Sequence, residues 1–475
     1  MKRGKVRGKT LLPPETAVLE EQCGQYTAMF SSLLPDNMKA LAFCTPASFR
    51  DPEVDDIWHP AVRGEGTIGV FLYYAKECLR AVFSGCKKFI LGRFGSTKLV
   101  IRSGATKLSF GTELVCSVAS GGEVSTEYLS EQDRNSSHWL IVSSRGGAKT
   151  VSRLDIFYLG GRLFLAWVKA SLRARNFSID LIATVQVFRW IISLTWVVQW
   201  TWLRAVEKAI NVTNPNVIFC IHESHPLSRI VWYVSCERNL HTVTIQHANI
   251  TREKLWYFST QAERAAGLRF ADIYYVYSEL TRDLLLPYLS SNTEVKLACG
   301  PRYSKWKNHI ERLSNVLSDV KTLLFVPSLA WWDNTTVLQA VHKCVLTNKR
   351  GHVIVVRLHP NGVISLKYRI RLFLWVRSNK VRLSTRDIYR DLKEASVVVG
   401  ATSSVLSEAS LLGRYSISLS NPKFLYKPET ADHTVNVSSF SMDDVEKVIS
   451  SGPKSTELIQ FQAQLLGINE PDFCL

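Results

Sequence analysis

From Asn216 onward, short apolar runs alternate with stretches of helical hydrophobic spacing, and this alternation leaves a chain few folds to choose from. "NVIFCI" reads as a buried strand. "SHPLSRIVWYVSCERN" reads as a helix from Ser224, with Pro226 in its first turn and Leu227, Val231 and Val234 on one face. "HTVTIQH", "DIYYVYS" and "EVKLACG" follow as further strands. Repeated β-α-β units of this kind imply a parallel sheet covered by helices. A polar, basic break, "PRYSKWKNHIERLSN", then interrupts the pattern, and a second series begins: "TLLFVP", a helix over 334–347, "HVIVVRLHP", "KVRLS", "DIYRDLKEA", "SVVVG" and "YSISLS". In "STRD", Ser384 and Asp387 give a start signal for a helix whose Ile388, Leu392 and Ala395 face inward.

The expected fold is therefore α/β, with two Rossmann-like doubly wound domains facing an interdomain cleft. The first spans 1–302, a linker 303–315, and the second 316–475; residues 1–15 form a basic tail. Before residue 180, "LVIRS", "ELVCSV" and "HWLIVSS" look like strands and "IGVFLYYAKECLRAVF" like a helix. They are expected to complete the first domain, although no motif orders them.

A chain of 475 residues is too long for one ordinary core, which agrees with two domains. Its ten cysteines show no metal-ligand spacing, so neither a zinc site nor a disulfide framework is expected. The basic start, "MKRGKVRGK", is not followed by the apolar core of a secretion signal, and a cytoplasmic location is expected. A net charge of +17 asks for an anionic partner. No RNA-binding aromatic signature, zinc finger or long basic helix is present, so nucleic acid is not the expected one. The segment Leu181–Ile210 is apolar but interrupted by Gln186, Arg189 and Gln199, which argues against a membrane span. Its Trp190, Trp196, Trp200 and Trp202 suit either a domain core or the interface of an anionic membrane.

In open parallel sheets, ligands bind beyond the carboxyl ends of the strands. The polar residues at such ends are Glu223, Gln246 and His247 in the first series, and Ser328, Arg357, His359, Ser403 and Ser404 in the second. "GATSSVLSEASLLG" reads as a turn followed by a helix burying Val405, Leu406, Ala409 and Leu412. Serine hydroxyls and backbone N–H groups at that turn suit a phosphate, although a residue such as Thr402 or Ser403 there can also simply cap the helix.

"VRLHPNG" and "GATSSVLSEASLLG" resemble the HP and SS motifs of bacterial GT-B glycosyltransferases that use CMP-activated nonulosonic or ulosonic acids, the sialyl- and polysialyltransferases. "IHESHPLSRIVWYVSCERNLHTVTIQHANI" is similar to related surface-carbohydrate biosynthesis proteins. The resemblance runs from about Asn216 to Leu419 and is absent before Asp180. It implies that His359, with Pro360 shaping its turn, contacts the nucleotide phosphate together with Ser403 and Ser404. Ser328 and Arg357 join them as neighbouring strand-end residues. No Asp-x-Asp motif stands where a metal-dependent transferase needs one, so no metal and no cofactor beyond the nucleotide sugar is expected.

The acidic base segment of those sialyltransferases, with its glycine, has no counterpart; "VDDIWHP" carries Asp55 and Asp56 without it. Glu223 is the first candidate for the base, the alternatives being that it orients the following helix or pairs with Arg229. His247 is a candidate for positioning the acceptor, or a packed interdomain histidine. The expected activity is inverting, metal-independent transfer to a cell-surface or lipid-linked glycan, with peripheral contact at the inner membrane face. A UDP-sugar or CDP-glycerol donor, an epimerase, and a non-catalytic glycan-binding protein are the alternatives.

Overall fold

Strands buried along their whole length belong in the middle of a parallel sheet with both faces covered, and "TLLFV", "VVVG" and "YSISL" are buried at every position. The computed structural model describes residues 25–44, 67–92, 94, 96–100, 113–118, 138–143, 151–171, 185, 187–220, 225–246, 250, 257–299, 322–328, 331–359, 362, 364–401, 403–419, 435–437 and 439–450. These form two Rossmann-like α/β units in tandem. The linker expected at 303–315 and the basic tail lie outside the described residues.

The first sheet contains β1 (Ser96–Val100), β2 (Glu113–Val118), β3 (His138–Ser143), β4 (Val217–Cys220), β5 (His241–Ile245), β6 (Ile273–Val276) and β7 (Glu294–Leu297). Their order is β1-β3-β2-β4-β5-β6-β7, parallel except for the antiparallel edge strand β1. β2 and β3 match the strands read from "ELVCSV" and "HWLIVSS", while β1 starts ahead of "LVIRS", whose last three residues lie outside the described residues. The helices are α1 (Thr67–Leu91), α2 (Arg153–Ser171), α3 (Thr195–Thr213), α4 (Pro226–Glu237), α5 (Gln261–Ala265) and α6 (Glu279–Leu285).

The tryptophan-rich segment belongs to the core. Trp190, Trp196, Trp200 and Trp202 are all buried, with Trp190 Nε1 donating to Gln199 Oε1 at 2.8 Å. Its helix is broken at Leu194, which adopts φ 55° before α3 begins. α4 starts as its proline requires, but its cap is His225 rather than Ser224: His225 Nδ1 accepts from Leu227 N at 3.1 Å.

The second sheet contains β8 (Thr322–Val326), β9 (Val353–Val356), β10 (Arg382–Leu383), β11 (Val397–Gly400), β12 (Tyr415–Leu419) and β13 (Val435–Val437). Its order is β10-β9-β8-β11-β12-β13 and every pair is parallel. Counted from β8, this is the 3-2-1-4-5-6 order of a doubly wound Rossmann sheet. The helices are α7 (Trp331–Thr347), α8 (Leu366–Arg377), α9 (Ile388–Glu394), α10 (Val405–Leu411) and α11 (Met442–Ser450). Alternation along the strands sends Leu323, Phe325, Ile354 and Val356 to the face covered by α7 and α8, and Leu324, Val326, Val355 and Val398 to the face covered by α9 and α10. Leu406 and Ala409 of α10 are fully buried; burying a leucine side chain contributes about 2 kcal/mol.

Candidate functional site

A doubly wound sheet opens a crevice where its winding reverses. Here the chain runs β8, β9, β10 to one side and then places β11 on the other side of β8. The switch point therefore lies between the carboxyl ends of β8 and β11, followed by Ser328 and by Ser403–Ser404 respectively. Ser328, Ser403 and Ser404 are each half-buried.

The loop after β11 is shaped by its neighbour. Ser418 Oγ in β12 donates to Ala401 O at 3.0 Å, and Gly400 lies so close to β8 that a Cβ would stand 2.9 Å from Val326 Cγ2. Ser403 Oγ accepts from Val405 N at 3.3 Å, so this serine does cap the turn. Ser404 occupies the N-cap position of α10 without a side-chain cap bond.

On the other side of β8, His359 is exposed at the end of β9, and Gly362 N donates to His359 O at 2.9 Å to close a turn. This turn sits on the loop after β8. A Cβ at Gly362 would stand 2.9 Å from Ser328 O, 3.2 Å from His359 O and 3.3 Å from Asn334 Nδ2 of α7. The fold thus brings the His359 turn and Ser328 together. Pro360 lies outside the described residues.

Arg357 is turned toward α9. Its NH1 donates to Asp391 Oδ2 at 3.0 Å and to the carbonyl of Arg386. Asp391, fully buried at its side chain, also accepts from Ser384 Oγ at 2.7 and 2.5 Å. A buried carboxylate needs such partners, and the three residues lock the end of β9 to α9. The helix start read from "STRD" is corrected accordingly. Asp387 is itself the cap, accepting from Tyr389 N at 2.8 Å, while Ser384 is committed to Asp391. Asp391, Ser418, Asn334 and Gly362 escaped the sequence reading because their partners lie far off in the chain or, for Gly362, because the close approach is to a backbone atom.

Glu223 and His247, expected after strands of the first sheet, lie outside the described residues. Gln246 is buried, and its Oε1 accepts from Tyr277 N at 2.9 Å, clamping β5 to the end of β6. Burial pushes the Cys220 thiol at the end of β4 up to about 12, so it stays a thiol at neutral pH and is no nucleophile there. Arg229 is buried with its guanidinium over the rings of Phe270 and Trp232, at 4.8 and 5.5 Å. Among the described residues, no three His, Cys, Asp or Glu side chains gather to hold a metal ion.

No known protein family matches the sequence, and no curated protein matches it. Solved structures do resemble the fold. A UDP-N-acetylglucosamine 2-epimerase from Rickettsia bellii aligns over 75% of this chain and 94% of its own, at 10% identity and a TM-score of 0.44. The Methanocaldococcus jannaschii UDP-GlcNAc 2-epimerase in complex with UDP-GlcNAc and UDP aligns over 57% of this chain and 79% of its own, at 14% identity and 0.39. The Neisseria meningitidis UDP-GlcNAc 2-epimerase bound to UDP-GlcNAc aligns over 58% and 76%, at 12% identity and 0.38. At such scores the likeness carries no conclusion about activity.

Proposed function

We propose that this chain is a nucleotide-sugar enzyme that holds the phosphate of its donor at the switch point of the second sheet. The observation that supports this reading is the placement of Ser328 and of Ser403–Ser404 just beyond the two strands flanking that crevice, with the His359 turn seated on Ser328. As the bond from sugar to nucleotide breaks, negative charge grows on the phosphate, and donors already aimed at it stabilise the transition state without reorganising. Ser403, Ser404, Ser328 and His359 supply those donors. Arg357, tied to Asp391, is a positioning residue that fixes the end of β9.

The finer reading is inverting transfer of a CMP-activated nonulosonic or ulosonic acid, without a metal, to a cell-surface or lipid-linked glycan at the anionic inner face of a membrane. Glu223 takes the proton of the acceptor hydroxyl, which attacks the anomeric carbon, and CMP departs; His247 positions the acceptor. A second reading keeps the phosphate site and takes a UDP-sugar, the class of ligand that the epimerases above carry by name.

Thermal stabilisation by CMP, CDP, UDP and GDP, with and without EDTA, tests these readings, since a ligand that binds the folded state raises its melting temperature. The transfer reading expects CMP to act best, unaffected by EDTA. A larger shift with UDP moves the proposal to the second reading. No shift with any nucleotide refutes both.

A further inference from the structure

Helix α8 is apolar on both sides. Tyr368, Leu372 and Trp375, spaced i, i+4, i+7, pack into the core of the second unit. On the opposite side Leu366 (72% exposed), Ile370 (54%), Phe373 (62%) and Leu374 (55%) repeat the same spacing toward solvent. A helix that pays its way by burying one stripe has no internal reason to carry a second. The helix also holds Lys367, Arg369, Arg371 and Arg377 and no acidic residue. Helical spacing puts Arg369 on one flank of the outer stripe, Lys367 on the other, and Arg377 at its end.

We infer that the outer face of α8 is the surface by which this protein lies on an anionic bilayer. The inference deepens the membrane contact proposed above, and rests on it. Apolar side chains enter the boundary between headgroups and acyl chains, while long basic side chains lay their stems along the same surface and keep their charges among the lipid phosphates. The chain's net charge of +17 adds a longer-range attraction. A protein partner fits less well. A helix of this length offers a strip about 18 Å long and about 10 Å wide, small beside the roughly 800 Å² per partner of a stable interface. No helix among the described residues is long and apolar enough to cross a membrane.

α8 follows directly on the turn that carries His359 and Gly362. With the helix docked flat, its N-terminal end keeps that turn beside the docked face. A rival surface exists at α1 and α2, where Phe83, Ile90, Leu154 and Phe157 are exposed and Arg153 NH2 donates to Ile90 O at 3.4 Å. It is the less cationic per residue, with its basic side chains spread over two longer helices and Asp155 in the first turn of α2.

Flotation of the full-length protein with phosphatidylcholine vesicles, with and without phosphatidylglycerol, tests the assignment. The wild type should float only with the anionic vesicles and be released by salt. Leu366→Ser with Phe373→Ser, and separately Arg369→Glu with Arg377→Glu, should each cut the bound fraction at least about tenfold at an unchanged melting temperature. Failure of the wild type to bind either vesicle overturns the membrane contact itself. Wild-type binding that survives both α8 variants, or that is lost instead in Phe83→Ser with Phe157→Ser, overturns only the assignment to α8. Self-association of the wild type that the α8 substitutions abolish, with vesicle binding intact, overturns it in favour of a second copy of the chain.

Discussion

The two sheets use the same strand chemistry and finish differently. In the second, both faces are covered by helices of its own unit: α7, α8 and α11 on one side, α9 and α10 on the other. In the first, Leu114, Leu140, Ile218 and Tyr274 face a core built with α2, α3 and α4. Its other face, with Val115, Phe219, Val243 and Ile245, belongs to the same apolar cluster as α9 and α10 of the second unit. One unit is closed on itself, and the other borrows part of its cover. The loop carrying Ser403 and Ser404 opens directly into α10, so the proposed phosphate site sits where the shared cluster begins.

The two carboxyl edges differ in the same way. Each has a buried polar clamp, but that of the second sheet is ionic and that of the first is neutral. Asp391→Ala is expected to have the largest effect, a loss of about 3 kcal/mol in chemical denaturation, because it strands the partly buried Arg357 and the Ser384 hydroxyl. A loss below about 1 kcal/mol would show that the strut carries no weight. Gln246→Ala leaves the buried Tyr277 N–H without its acceptor and should cost about 2 kcal/mol. If it costs more than Asp391→Ala, the contrast between an ionic and a neutral edge is wrong.

Gly362→Ala is the next in size. A methyl 2.9 Å from Ser328 O forces the His359 turn off the loop after β8, and overpacking of this kind costs about 1–2 kcal/mol. Nucleotide affinity should fall in the same variant, measured by titration calorimetry. Stability lost with affinity unchanged would separate the turn from the site.

What the sequence made legible follows from how local each signal is. Buried strands such as β8 and β11 announce themselves as apolar runs, and the inward faces of α4, α9 and α10 follow from residues within a few turns of one another. The strand ends carrying Ser328, His359, Ser403 and Ser404 were readable for the same reason. The role of Arg357 was not, since Asp391 lies beyond a whole helix and strand. Ser384 offered a capping reading that the carboxylate of Asp391, turned back from α9, overrode. The burial of the four tryptophans depends on which elements pack over them, and spacing alone left the core and the membrane both open. Between "HVIVVRLHP" and "KVRLS" the sequence assigns no helix at α8, because four basic residues interleave its apolar ones and no single stripe stands out; only exposure tells its two apolar stripes apart.

The smallest expected change in stability, and the most informative about function, comes from Ser403→Ala combined with Ser404→Ala. Ser403 accepts one backbone N–H at a long 3.3 Å, and Ser404 makes no side-chain cap bond, so the helix loses little. The cost should stay near or below about 1 kcal/mol, the usual worth of one cap. If both hydroxyls face the donor phosphate, the same variant loses hydrogen bonds to a charged group, each contributing about 1.5–3 kcal/mol, and nucleotide affinity falls by at least about tenfold. Only a large loss of affinity beside a small loss of stability fits a phosphate site. The reverse pattern, unchanged affinity with a lowered melting temperature, would reduce both serines to parts of the turn and leave the switch point of the second sheet without its proposed ligand.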